Sequence, residues 1–235
     1  LFENIYDFRL EGYYKKLYNL IDFGYGTFWN NAANWEQNSV KNGKGICFGI
    51  EFLLSKNDGK LTGWISYTYS KAKRQFANIN SGKYFDYDFD RPHDFKITGI
   101  YNFNEKIFLS ANWIYQTGQP INLPIGSLPY IVYSEILLND NLLIDENFDG
   151  SFFFEKNSIR MRSYHRLDIA LNWTKIKKLG TRTWSFSIYN VYNRQNAYNY
   201  FFEYQYDVSQ EKYIRKLFQR TLFPIIPSVS YSFKF

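Results

Sequence analysis

The sequence predicts an all-β fold, an antiparallel transmembrane β-barrel segment of about eight strands. Three observations predict it: an aromatic-rich composition, hydrophobic alternation of period two, and connections that alternate between short and long. Aromatic residues make up 22% of the 235 residues, with 23 Phe, 22 Tyr and 6 Trp. Ordinary globular domains carry their apolar mass mainly as Leu, Val, Ile and Ala, whereas aromatic side chains suit a pleated surface and exclude a disordered chain. The longest unbroken apolar run is Tyr130 to Tyr133, far below the roughly 20 residues of a spanning helix, and the mean hydropathy of -0.44 agrees.

The alternation runs through the chain in order. A first strand at 8–18 sets Phe8, Leu10 and Tyr14 against Arg9, Glu11 and Lys15. At 46–55, Ile46, Phe48, Ile50, Phe52 and Leu54 oppose Cys47, Gly49 and Glu51. At 61–71, Leu61, Ile65, Tyr67 and Tyr69 oppose Thr62, Ser66, Thr68 and Ser70, with Trp64 as the exception. At 95–103, Phe95, Ile97, Tyr101 and Phe103 oppose Lys96, Thr98 and Asn102, and at 107–117, Ile107, Leu109, Ala111, Trp113 and Tyr115 oppose Ser110, Asn112 and Gln116. At 164–174, Leu167, Ile169, Leu171 and Trp173 oppose Arg166, Asp168, Asn172 and Thr174. A strand at 184–193 carries Trp184, Phe186 and Ile188. At 225–235, Val229, Tyr231, Phe233 and Phe235 alternate with Ser228, Ser230, Ser232 and Lys234.

The intervening stretches are roughly 27, 5, 23, 3, 46, 9 and 31 residues, the parity of an outer-membrane barrel with short periplasmic turns and long external loops. A soluble two-sheet binding module shows no such parity. Asn57-Asp58-Gly59 and Asn104-Glu105 supply turn chemistry in short links. The chain ends after a strand that descends from a long loop, so the C-terminus is expected on the periplasmic side of a Gram-negative outer membrane. A Lys or Arg facing lipid at the midplane costs about 2 to 4 kcal/mol, so Glu51, Lys96, Arg166 and Asp168 are expected to face a lumen. Trp113, Trp173, Trp184 and many Tyr then face lipid, with those near strand ends forming interfacial girdles.

The net charge of +6 is scattered. Its densest groups, Lys71, Lys73 and Arg74 and then Lys175, Lys177 and Lys178, read as solvated turns, and no nucleic-acid partner is expected. Cys47 is the one cysteine and reads as a wall residue. His165 and Asp168 fall on opposite faces of a strand, His93 and Asp94 likewise, and the serines lack a base, so no catalytic residue, cofactor or enzymatic activity is expected. Asp145, Asn147 and Asp149 with Gly150 match the first half of a calcium loop, but the twelfth position is Lys156 where a bidentate Glu belongs; an acidic solvated loop is the alternative. Asp90-Arg91-Pro92 and Gly118-Gln119-Pro120 read as turn punctuation with Asp–Arg pairing at the outer rim, or as ligand contacts. Asn190, Asn193 and Asn196 read as caps for backbone groups at a loop mouth.

Several segments also resemble the C-terminal barrel of TonB-dependent outer-membrane receptors of the Bacteroidetes type. They are Gly49-Ile50-Glu51-Phe52-Leu53-Leu54-Ser55-Lys56 with Gly59 to Lys71, Asp90-Arg91-Pro92-His93-Asp94, Tyr115-Gln116-Thr117-Gly118-Gln119-Pro120, Tyr164-His165-Arg166-Leu167-Asp168, Tyr189 to Asn196, and Ser230 to Phe235. The resemblance implies that residues 1–235 are the last third of a 22-stranded barrel whose N-terminal strands and plug are absent here. It implies TonB-energised uptake of a nutrient ligand (siderophore, cobalamin, glycan or peptide), TonB being reached through the missing N-terminal part. It further implies that Tyr231, Phe233 and Phe235 form the signal read by the barrel-assembly machinery, and that a surface lipoprotein accompanies a glycan transporter. A small passive outer-membrane barrel, an anchor or porin, is the alternative. The face carrying Ser66, Thr68, Ser110, Asn112, Asn172, Thr174, Ser185, Ser187, Ser228, Ser230 and Ser232 suits a wide lumen, so the chain by itself is expected to form an open sheet rather than a closed small barrel.

Overall fold

A computed structural model describes residues 5–23, 36, 39–123, 126–131, 144–152, 155–178 and 180–235, with the backbone alone at 126–131, 144–152 and 212. The strands are β1 (Tyr6–Phe23), β2 (Ser39–Lys56), β3 (Leu61–Gln75), β4 (Phe85–Asp86), β5 (His93–Asn102), β6 (Ile107–Gln116), β7 (Pro120–Ile121), β8 (Gly126–Ile131), β9 (Ile144–Phe152), β10 (Ile159–Arg160), β11 (Tyr164–Lys177), β12 (Gly180–Tyr189), β13 (Ala197–Asp207), β14 (Lys212–Thr221) and β15 (Ile226–Lys234).

All eight expected strands are present, and all pair antiparallel in one nine-stranded sheet. Its order is β1-β2-β3-β5-β6-β11-β12-β15, with β4 paired to β3 off this path. β1 and β15 lie at opposite edges and no described backbone pairing joins them, so the sheet is open, as expected. Three further two-stranded pieces, β7 with β10, β8 with β9, and β13 with β14, stand off the long connections.

Directly paired residues point to the same side of a sheet, so the register tests the two faces. Ile50 pairs Tyr69 and Phe52 pairs Tyr67; Tyr67 pairs Phe95, Phe95 pairs Tyr115 and Ile97 pairs Trp113. Trp113 pairs Leu167, Trp173 pairs Trp184, and Trp184 pairs Tyr231. One continuous face is therefore apolar from β1 to β15. The serine and threonine ladder runs along the other, through Ser185 with Asn172 and Ser230. Trp64, opposite Ser55 and Thr98, lies on that polar face.

The alternation of links persists. Residues 57–60, 103–106 and 178–179 make the short ones, and 24–38, 76–92, 117–163 and 190–225 the long ones. Gly59 turns at φ 97, a conformation easy for glycine. In 103–106 the Asn104 carboxamide accepts the amides of Lys106 at 2.9 Å and Ile107 at 3.0 Å, an Asx turn.

β1 and β2 are each 18 residues long, well beyond the expected strands. Toward the long-loop end the ladder continues through Leu17 with Gly45, Leu20 with Gly43, Asp22 with Val40 and Phe23 with Ser39, with register shifts between Leu17 and Asp22. There Asn19 and Asn42 take positive φ, which Asn tolerates better than most residues. The buried core is correspondingly small. Phe76, Ile79 and Phe85 form it at this end, packed by Leu20 and Val40, while Tyr14, Ile50, Phe186 and Val229 on the apolar face stay exposed. Two packed layers normally bury such a face, and the described strands build one.

Candidate functional site

The four candidate lumen residues share one face. Glu51 pairs Thr68, Lys96 pairs Ser66 and Ile114, and Ile114 pairs Arg166 while Asn112 pairs Asp168. Only Arg166 and Asp168 are brought together. The Arg166 Nε donates to Asp168 Oδ2 at 2.9 Å, its Nη1 donates to the hydroxyls of Tyr164 at 2.7 Å and Tyr189 at 2.5 Å, and the guanidinium lies 4.0 Å from the Tyr189 ring centroid. Asp168 Oδ1 accepts the backbone amide of Asn190 at 2.9 Å. The pair thus anchors the chain leaving β12 as well as lining the face. Lys96 pairs instead with Asp94 at 3.1 Å, and Glu51 stands apart, exposed.

Glu51 borders a hollow of about 510 Å³ that is also lined by Glu11, Tyr13, Lys15, Asp90 and Arg91. Cys47 lies in its wall. Charges of both signs and a phenol surround it, with Phe89 and Ala72 completing the wall.

A network that sequence reasoning missed closes the loop end. Asp90, with its side chain wholly buried, receives Lys71 at 3.2 Å, Arg160 and the Ala72 amide at 2.6 Å. Arg160 also pairs with Asp86 and donates to the Gly118 carbonyl at 3.1 Å. Asp86 lies off the long strands. Burial pushes its carboxyl upward, but the Arg160 hydrogen bond and the charge of Lys71 outweigh it and hold the pKa below the ordinary value.

Lys156, the residue at the twelfth position of the calcium-loop pattern, is buried with its ammonium 2.5 Å from Asp22, which also faces Arg74 at 3.4 Å. Asn157 donates to the Asp86 carbonyl at 2.8 Å and to Asp88 at 2.5 Å. Lys71 and Arg74 are therefore ion-paired in β3 rather than parts of a solvated turn, because the 85–90 and 155–160 segments fold over them. Lys175 and Lys177, in β11, are exposed.

The two rim motifs do meet, with different pairings from those expected. Arg91 donates to Gln116 and to Gln119 at 3.2 Å, and Gln116 donates to Asp94 at 2.7 Å. Asp90 takes Arg160, not its neighbour Arg91. Gly118 is required here, for a Cβ would sit 1.8 Å from the Met161 carbonyl oxygen.

The asparagines cap as expected. Asn190, fully buried, accepts the Arg194 amide at 2.9 Å and donates to the carbonyls of Arg194 at 3.0 Å and Phe223 at 3.2 Å. Asn193 accepts the Ile225 amide at 3.0 Å, and Asn196 brackets the His165 backbone. His93 and His165 each hydrogen-bond a tyrosine hydroxyl, of Tyr67 at 2.8 Å and Tyr192 at 2.9 Å. The backbone of Asp145, Asn147 and Asp149 lies in β9, but their side chains fall outside the described residues. Among the described residues no group of three or more His, Cys, Asp or Glu is placed to hold a metal ion, and no helix is long and apolar enough to cross a membrane. Tyr231 and Phe233 lie in β15 on the apolar face, and Phe235 follows it, exposed.

No protein-family model matches the chain, and neither does any curated protein. Among solved structures it is similar to the closed form of the ferric-catecholate import receptor Fiu from E. coli K12, with a TM-score of 0.53 at 11% identity, covering 98% of this chain and 25% of that one. The chain thus spans 25% of the length of that receptor. The likeness shows the fold alone: an open antiparallel sheet laid out as a segment of a β-barrel wall.

Proposed function

We propose that the chain forms part of the wall of an outer-membrane receptor that imports a nutrient ligand (siderophore, cobalamin, glycan or peptide) with energy relayed through TonB. The observation that carries this reading is the single-layer sheet with one continuous apolar face and one polar face. In water that apolar face has nothing to bury it, whereas lipid on one side and a wet lumen on the other satisfy both. Unpaired edges at β1 and β15 would leave backbone groups unsatisfied in lipid, so further strands close the barrel between them. A passive eight-stranded barrel would instead pair β1 with β15, which stand at opposite edges.

On this reading the chain is the C-terminal part of one barrel of the Bacteroidetes type, with a plug and N-terminal strands supplied upstream and its C-terminus on the periplasmic, short-turn side. Lys96, Arg166, Asp168 and Glu51 line the lumen, and Tyr231, Phe233 and Phe235 present the assembly signal. No catalytic step is part of this reading.

The test uses cysteine labelling of the full gene product in intact outer membranes, with Cys47→Ser as background. Glu51→Cys should react with a water-soluble maleimide, and Ile50→Cys only with a lipid-soluble one. Equal labelling at the two positions, or release of the protein by carbonate, would overturn the reading.

A further inference from the structure

At one corner the apolar face is interrupted by positive charge. Lys16 of β1 pairs Ile46 and Ile46 pairs Lys73 of β3, so both lysines lie on the face of Phe48, Ile50 and Phe52. Lys44, two residues before Ile46, shares it. All three stand toward the long-loop ends of their strands. Lys16 and Lys44 are exposed, and the Lys16 ammonium lies 5.9 Å from the centroid of the Tyr14 ring, itself 61% exposed.

None of the three makes an ion pair with another described residue. The carboxylate opposite Lys73 in the register is Asp86, and it is taken by Lys71 and Arg160. Three cations on a lipid-facing surface without internal counter-charge call for an anion from outside. At the depth where strands leave the hydrocarbon, the available anion is a headgroup phosphate, and clustered lysines attract such groups. The interface is also less polar than water, which strengthens ammonium–phosphate hydrogen bonds.

We propose that Lys16, Lys44 and Lys73 form a binding site for a phosphate-bearing lipid headgroup of the outer leaflet, with Tyr14 against the base of its acyl chains. The site rests on the membrane reading above and adds to it a specific lipid ligand on the outer wall, separate from the lumen.

Native mass spectrometry of the full-length barrel in detergent tests this, with bisphosphorylated lipid A as probe. The wild type should retain lipid A, and K16Q/K44Q/K73Q should bind it about tenfold or more weakly, while dephosphorylated lipid A should bind both equally weakly. Heat-modifiable gel migration verifies that the variant folds, and K44Q alone, at an exposed position, gives a smaller loss if the triple variant does not. Equal retention by wild type and variant overturns the site, as does full displacement of lipid A by millimolar inorganic phosphate, which would make it a free-phosphate site. A protein that never inserts in the outer membrane overturns the membrane reading instead; an inserted barrel with unchanged retention overturns this site alone.

Discussion

Arg160 donates to the carboxylate of Asp90, 70 residues away in sequence. The same guanidinium reaches the carbonyls of Asp90 at 2.8 Å and Gly118 at 3.1 Å. One side chain thereby ties both ends of the 117–163 connection to the segment that leads into β5. Buried charge is tolerated there because every charge has an opposite partner.

Removing the acid should expose that dependence. Asp90→Asn leaves Lys71 and Arg160 short of a counter-charge; both are partly exposed, at 22% and 26%, which moderates the loss to about 1 to 3 kcal/mol. The expected outcome is a lower urea midpoint of the folded barrel and faster proteolytic nicking within 117–163. An unchanged midpoint would mean that the network contributes nothing measurable.

Acid should loosen the rim through Asp86. Its pKa is depressed in the folded chain, so it contributes stability that is fully present above the unfolded-chain value of about 4 and is lost as pH falls through the lower folded value. Stability should therefore be insensitive to this group at neutral pH and decline below about pH 4. Asp86→Asn should have a flatter decline over that window, read by tryptophan fluorescence during acid titration. Parallel curves for the two proteins would contradict the assignment.

Asn190 should be intolerant in a graded way. It is fully buried, sits at φ 54, and its carboxamide satisfies three backbone groups. Alanine loses the bonds and strains the left-handed conformation; glycine loses only the bonds. Asn190→Ala should cost about 2 to 4 kcal/mol, and Asn190→Gly about 1 kcal/mol less, by denaturant unfolding. A glycine variant as unstable as alanine would remove the conformational part of the argument.

How much of this was legible depends on how local the signal is. Phe186-Ser187-Ile188 reads as a strand from its own pattern, because alternation records which side of a sheet is wet. The β13–β14 hairpin was legible too, in Tyr198, Tyr200, Phe202, Tyr204 and Tyr206, and was missed because Phe201 blurs the opposite face. There Phe201 pairs Phe218, a contact that a single strand does not reveal. The two-residue pair of β7 with β10 carries no periodic signal at all.

By itself, then, the sequence determined the eight strands, their two faces and the alternation of links, because each depends on residues a few positions apart. Tertiary structure alone decided that Asp90 would meet Arg160 rather than Arg91, and that Lys156 would bury itself against Asp22. Such pairs form where long connections fold back on the sheet, and their closure is governed by packing and charge across many tens of residues, which no local pattern encodes.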